Sequence, residues 1–164
     1  MTRRSSPSTT LPIEDQVFVC LQKTADSLGL EVEQLLKPRG LTATQYNVLR
    51  ILRGAAPQGL PCSAIAERMI SHDPDMTRLL DRMEQRRLIS RERQAYDRRV
   101  VKTAITRTGL ALLKSLDQPV RELHKRQFRH MPAARLKTLA QLLEDVRART
   151  GVTEPNIKLL RRSV

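Results

Sequence analysis

Apolar residues recur at Ile13, Val17, Cys20, Leu21, Leu28, Val32 and Leu35, the three-and-four spacing of one helix face, and predict a long helix over residues 13–36. Pro38 and Gly40 end it. A second helix opens inside "LTATQYNVLRIL". Thr42 is its N-cap, Gln45 three residues on completes a capping box, and Leu41 and Tyr46 are spaced as a hydrophobic staple across it. "GAAPQGLP" reads as a loop and "SAIAERMI" as a helix of about two turns. "SHDPDM" starts another helix, running to near Arg86, with Asp73 as cap and Pro74 at the first helical position, where no N–H is lost. Met76, Leu79, Leu80 and Met83 line one face of that helix, and Asp75, Arg78, Arg82 and Arg86 line the other.

The period then changes. "LISRER" and "VVKTAIT" are β-prone runs on either side of the polar "QAYDRR". Alternation is weak in the first run and clear in the second, where Val101, Thr103 and Ile105 share a face, so a hairpin is expected. Thr106 caps a long helix reaching His130 and carrying Leu110, Leu113, Leu116, Val120 and Leu123. Pro132 starts a last helix with Leu136, Leu139, Leu142, Leu143 and Val146, stopped by Gly151. A hairpin directly after two short-linked helices is a wing. The expected fold is therefore mainly α with a small β-wing, a winged helix-turn-helix flanked by N- and C-terminal helices.

The expected divisions are a disordered polar arm over 1–12, a helix unit over 13–40, the winged unit over 41–105, C-terminal helices over 106–150 and a tail over 151–164. The tail reads as a short amphipathic helix or as disorder. The apolar stripes of the outer helices are too long for so small a core to cover. They are expected to pack on a second copy of the chain, the alternative being a self-contained bundle.

Charge sharpens this picture. Lys and Arg number 30 against 17 Asp and Glu, a net +13 over 164 residues, and a polyanionic partner relieves such self-repulsion most readily. Arg86, Arg87, Arg91, Arg93, Arg98 and Arg99 crowd into one short stretch. With two Phe, two Tyr and no Trp there are few stacking platforms, which argues against RNA or single strands. No apolar run suits a membrane span or a signal peptide, so a cytoplasmic protein is expected. Cys20 and Cys62 form no Cys-x-x-Cys, and each is expected to be a small buried hydrophobe. His72, His124 and His130 lack metal-ligand spacing, and neither a nucleophile motif nor a Gly-rich phosphate loop is present. No enzyme, metal site or cofactor is expected.

On residue types alone the cationic helix near Arg78 is either a DNA-reading helix or an ordinary surface helix in which Asp81 pairs with Arg78 or Arg82. The order of the elements extends the comparison. "LTATQYNVLRIL", "LPCSAIAERM", "DMTRLLDRMEQRRL" and above all "RERQAYDRRVVKTAITRTG" resemble successive elements of the MarR family of bacterial transcriptional regulators, over residues 13–150. The last stretch is similar to the family's Arg-x-x-x-x-x-Asp-x-Arg wing followed by a Thr-x-x-Gly helix start. The resemblance implies an obligate homodimer whose recognition helix enters the major groove while a wing Arg enters the flanking minor groove. Asp97 and Arg99 fall on the Asp-x-Arg pair, Asp97 orienting the Arg99 fork. The departure is "EQRRL", where Arg87 stands at a position that many members give to Gly, and so must adopt a turn that Gly would ease.

Under this resemblance the DNA-facing set is His72, Asp73, Pro74, Asp75, Thr77, Arg78, Arg82, Arg91, Arg93, Asp97, Arg98 and Arg99. The implied partners are double-stranded DNA, a second copy of the chain, and a small aromatic or phenolic ligand lodged between the winged unit and the dimer helices. Val17, Leu21, Tyr46 and Arg50 are candidates to line that ligand site, with plain core packing as the alternative. The implied function is a sequence-specific repressor that binds a palindromic operator as a homodimer and is released by a ligand. Two alternatives stand beside it. One is a nucleoid-type, sequence-indifferent binder, against which Asp73 and Asp75 at the helix start speak, because carboxylates repel phosphates. The other is a redox-sensing regulator using Cys20, which sits slightly past the position that the family's peroxide sensors use.

Overall fold

The computed structural model describes residues 11–71, 73–93 and 101–149. The N-terminal arm before residue 11, His72, the hairpin tip with Asp97, Arg98 and Arg99, Gly151 and the tail lie outside the described residues.

The first helix, α1, spans Ile13–Leu36 and runs into a single 3-10 turn, Lys37–Arg39. Helix α2, Ala43–Gly54, begins as its sequence predicts. The Thr42 hydroxyl accepts the Gln45 N–H at 3.1 Å, and Gln45 Oε1 accepts the Thr42 N–H at 3.3 Å. Leu41 and Tyr46 are both buried in the core beside this cap. A two-residue strand β1, Leu60–Pro61, follows, then the short helix α3, Cys62–Ala66, and helix α4, Met76–Gln85. Strands β2, Ile89–Arg93, and β3, Val101–Ile105, form the hairpin; α5, Arg107–Phe128, and α6, Ala133–Arg149, complete the chain.

Three secondary-structure features depart from the sequence-based expectation. The "GAAPQGLP" stretch is not wholly loop. Its end pairs with β3, Leu60 opposite Thr103 and Pro61 opposite Lys102, giving a three-stranded antiparallel sheet in the order β1-β3-β2. Such a pairing joins segments about forty residues apart, which no local pattern reveals. Helix α3 is shorter than two turns, because after Ala66 the bonds tighten to i→i+3, Arg68 N–H to Ile65 O and Met69 N–H to Ala66 O.

Helix α4 starts two residues later than expected. Asp75, not Asp73, is its N-cap, accepting the Arg78 N–H at 3.3 Å. Asp73 instead accepts the Asp75 N–H at 2.9 Å, an Asx turn that holds Pro74 in the loop before the helix. Two aspartates two residues apart can each cap a helix. With either cap Met76, Leu79, Leu80 and Met83 share one face, and all four are buried in the core.

The core lies between α2, α4, the sheet and the first half of α5. Val48, Leu49, Leu52, Ile65, Leu80, Met83, Leu88, Ile89, Leu113 and Leu116 fill it. The outer helices are poorly covered. Ile13, Val17, Phe18 and Val19 of α1 are exposed, as are Leu142, Leu143 and Val146 of α6, and α6 has no buried residue. Cys20 lies on this open part of α1 and is exposed, contrary to the expectation of a buried thiol; Cys62 is half-buried.

The turn from α4 to β2 carries the expected departure from family pattern. Arg87 has φ +56°, the left-handed region. Around it, the Leu88 N–H reaches Met83 O at 3.0 Å and the Arg87 N–H reaches Glu84 O at 2.7 Å, the paired bonds of a Schellman C-cap. A side chain at that φ is strained, by about 1–2 kcal/mol. Replacing Arg87 by Gly removes the strain and costs some unfolded-state entropy, so Arg87→Gly should stabilise the protein by a net of roughly 0.5–1 kcal/mol. Chemical denaturation would show this as a higher midpoint at constant slope; an unchanged or lower midpoint would mean that the turn is not strained.

Candidate nucleic-acid interface

Helix α4 divides cleanly. Thr77, Arg78, Arg82 and Gln85 are exposed along one side, and the opposite side is sealed into the core. Arg78 and Arg82 are one turn apart and share a face. Ten residues span about 15 Å of helix, a length that fits a major groove about 12 Å wide. Arg78 Nε pairs with the Asp75 carboxylate at 3.2 Å, with side chains 81% and 48% exposed. So open a pair contributes little and leaves the guanidinium free to exchange one anion for another.

The sequence-predicted residues meet different fates. Thr77, Arg78 and Arg82 lie together on the open side of α4, with Asp75 at its start and Pro74 exposed just before it. Asp73 is half-buried and occupied in its turn. Arg93 is exposed at the end of β2. His72, Asp97, Arg98 and Arg99 lie outside the described residues.

Arg91 points back into the protein. Its Nε donates to Glu84 Oε2 at 2.8 Å, and its Nη2 lies against both Glu84 Oε2, at 2.6 Å, and Asp81 Oδ1. Glu84 above all, and Asp81 with it, push the proton affinity of this guanidinium further up. Asp81 thus pairs with Arg91 and not, as one sequence reading had it, with Arg78 or Arg82. Arg86 is engaged as well: Nη1 donates to Gly40 O at 2.6 Å, tying the end of α4 to the turn between α1 and α2. The described arginines of that stretch therefore separate in space into two ties, Arg86 and Arg91, and two exposed charges, Arg87 and Arg93.

Sequence reasoning missed Gln85 on the open face, and it missed Asp81 and Glu84 as acceptors for Arg91. The hydrophobic period of α4 held the signal for Gln85, since 78, 82 and 85 follow the three-and-four rule. Nothing local signals the acceptors, whose partner lies on a strand.

A second polar group sits between α2 and α5. Arg53 Nη1 donates to both oxygens of Asp117 at 2.9 Å, and Arg50 lies 5.8 Å from the centre of the Tyr46 ring. Burial pushes the Tyr46 phenol up despite the nearby Arg50 charge, so it stays protonated across ordinary pH. Of the other candidate lining residues, Leu21 is half-buried and Val17 exposed. Among the described residues no group of three or more His, Cys, Asp or Glu could hold a metal ion, and no helix is long and apolar enough to cross a membrane.

Helix α3, helix α4 and the hairpin, in that order and packed on one core, define a winged helix-turn-helix protein. Residues 41–101 match the family model described as "MarR family". A MarR transcription factor from Planctomyces limnophilus is 39% identical and superposes with a TM-score of 0.63 over 87% of this chain and 98% of that one. A mutant MarR from E. coli complexed with operator DNA is 28% identical, with a TM-score of 0.67 over 83% of this chain and 94% of that one. The HTH-type transcriptional repressor IacR of Pseudomonas putida is 28% identical over 133 residues, covering 81% of this chain and 78% of the repressor. The chain belongs to the MarR family of transcription regulators.

Proposed function

We propose that this regulator is a sequence-specific repressor of transcription that binds a palindromic operator in double-stranded DNA as a homodimer, in the cytoplasm. The observation that carries the reading is the division of α4: a reading face of Thr77, Arg78, Arg82 and Gln85 held rigidly because the other face is core. Supporting it are a relative named as a repressor and a structural neighbour complexed with operator DNA. The exposed apolar faces of α1 and α6 support the dimer, since a second copy would bury them. Release by a small ligand is supported by Arg50, a half-buried cation of α2 beside the Tyr46 ring and placed to meet an aromatic anion.

Selection of bound duplexes from a random library tests the reading. The expected product is an inverted repeat with half-site centres about 34 Å apart. Absence of enrichment would favour a nucleoid-type binder, and a solution mass of one chain at micromolar concentration would remove the dimer.

Arg78 and Arg82 should divide their labour on the selected site. Arg78, on the first turn, is placed nearest base edges, so Arg78→Ala should relax specificity at one position at a cost of about 1–3 kcal/mol. Arg82, a turn further on, meets phosphate, and Arg82→Ala should weaken all sequences alike. A panel of single-base variants of the site reads both patterns; identical profiles for the two substitutions would contradict the division.

A further inference from the structure

The geometry around Arg91 points to a positioning role. We infer that Arg91, Asp81 and Glu84 form a brace that fixes the wing to the recognition helix, so that the two enter the two grooves as one rigid body. The inference rests on the DNA-binding reading above and assigns Arg91 away from direct DNA contact.

Strand β2 is an edge strand, so one row of its backbone groups has no strand partner. At Arg91 that edge N–H is taken by Glu84 Oε1 at 3.1 Å, while Glu84 Oε2 accepts Nε of the same residue at 2.8 Å. One carboxylate thus holds both the backbone and the side chain of Arg91. Asp81, one turn earlier on α4, takes Nη2. The edge of the guanidinium that would grip a phosphate with two parallel hydrogen bonds is therefore already occupied. The Arg91 side chain is only 25% exposed, whereas Arg78 is 81% exposed. On its other side Arg91 pairs with Thr103 of β3, which is 1% exposed, so the hold on β2 carries to β3.

Charge makes the arrangement diagnostic. The brace has two carboxylates and one guanidinium, a net negative group beside a face proposed to meet phosphates. A protein selected only for attraction to DNA would gain by losing those acids. Keeping them is consistent with a mechanical use, because a planar fork held by two acceptors resists rotation as a single ion pair does not.

The test uses the full-length protein and the duplex selected above. Three variants are compared with the parent at fixed salt, each checked for folding by circular dichroism: Arg91→Met, Arg91→Lys and the double variant Asp81→Asn with Glu84→Gln. The brace predicts that all three lose affinity, on the order of ten-fold. It also predicts an unchanged slope of log K against log salt for Arg91→Met, because no phosphate contact is lost. Finally, it predicts weaker discrimination against a duplex with a base pair inserted between the half-site and its minor-groove flank, a readout that mere loss of stability does not move. If Arg91 met phosphate, the slope for Arg91→Met would fall by about 0.9 per subunit. That result, or tighter binding by the acid-deleted variant, would overturn the brace. If Arg91→Met does not fold, the lysine variant carries the test, since it keeps the charge and loses the fork. Should the parent protein select no duplex at all, the sequence-specific reading itself falls, a failure distinct from that of the brace.

Discussion

Raising salt from 50 to 200 mM should weaken the operator complex by roughly a thousand-fold or more. The chain carries 30 Lys and Arg against 17 Asp and Glu. Not all of that charge is available to DNA, because Arg91 is held by Glu84 and Asp81, Arg53 by Asp117, and Lys125 by Glu122. Arg78 and Arg82 on α4 and Arg93 on β2 remain exposed, and the wing tip adds Arg98 and Arg99 in sequence. Two copies of such a face would neutralise about six to ten phosphates, and each neutralised phosphate contributes about −0.9 to the slope of log K against log salt. A four-fold rise in salt then costs about three to five orders of magnitude. Fluorescence anisotropy on a labelled operator at several salt concentrations reads the slope. A flat response would mean that the exposed arginines do not face DNA.

Gly109→Ala should lower stability by about 3 kcal/mol, opposite in sign to the usual effect of that substitution inside a helix. Gly109 lies in the first turn of α5, and its N–H is capped by the Thr106 hydroxyl oxygen at 3.0 Å. The same hydroxyl donates to Arg87 O at 2.6 Å, and the Thr106 N–H donates to Leu88 O at 3.1 Å. The start of α5 is thus stitched to the turn that ends α4. A Cβ on Gly109 would run into the Leu88 carbonyl oxygen and would sit 2.9 Å from Ile105 Cγ1. The obstacle is backbone, held by the very bonds that join α5 to the wing, so relief requires the junction to open. Gly29, in α1, is the control: an added Cβ there meets nothing within 4 Å, and Gly29→Ala should stabilise by up to about 1 kcal/mol. Thermal and denaturant unfolding of the two variants gives the comparison. Equal and positive effects would show that the α5 junction has room.

The Thr-x-x-Gly start of α5 illustrates how a short pattern can carry a tertiary demand. The Thr is legible as a cap from its own sequence. The reason for Gly three residues later is not, because it depends on where the Leu88 carbonyl arrives from another part of the chain. The same contrast separates Thr42 from Arg91. Thr42 and Gln45 cap each other within one turn, and the sequence announces them. Arg91 reads as one more outward charge until the fold brings Glu84 and Asp81 to it.

By itself the sequence determined whatever depends on neighbours within a turn or two. It set the long helices at either end, the caps at Thr42 and Thr106, the sealed and open sides of α4 and the hairpin after it. Periodicity and capping are local free-energy preferences, so they survive reading without coordinates. Tertiary structure alone decided that Leu60 and Pro61 join the sheet, and which arginines are ties and which are open to a partner. The sheet pairing and the sorting of the arginines turn on contacts between distant segments. A charged or polar side chain there has several local options of similar energy, and only the position of the partner chooses among them.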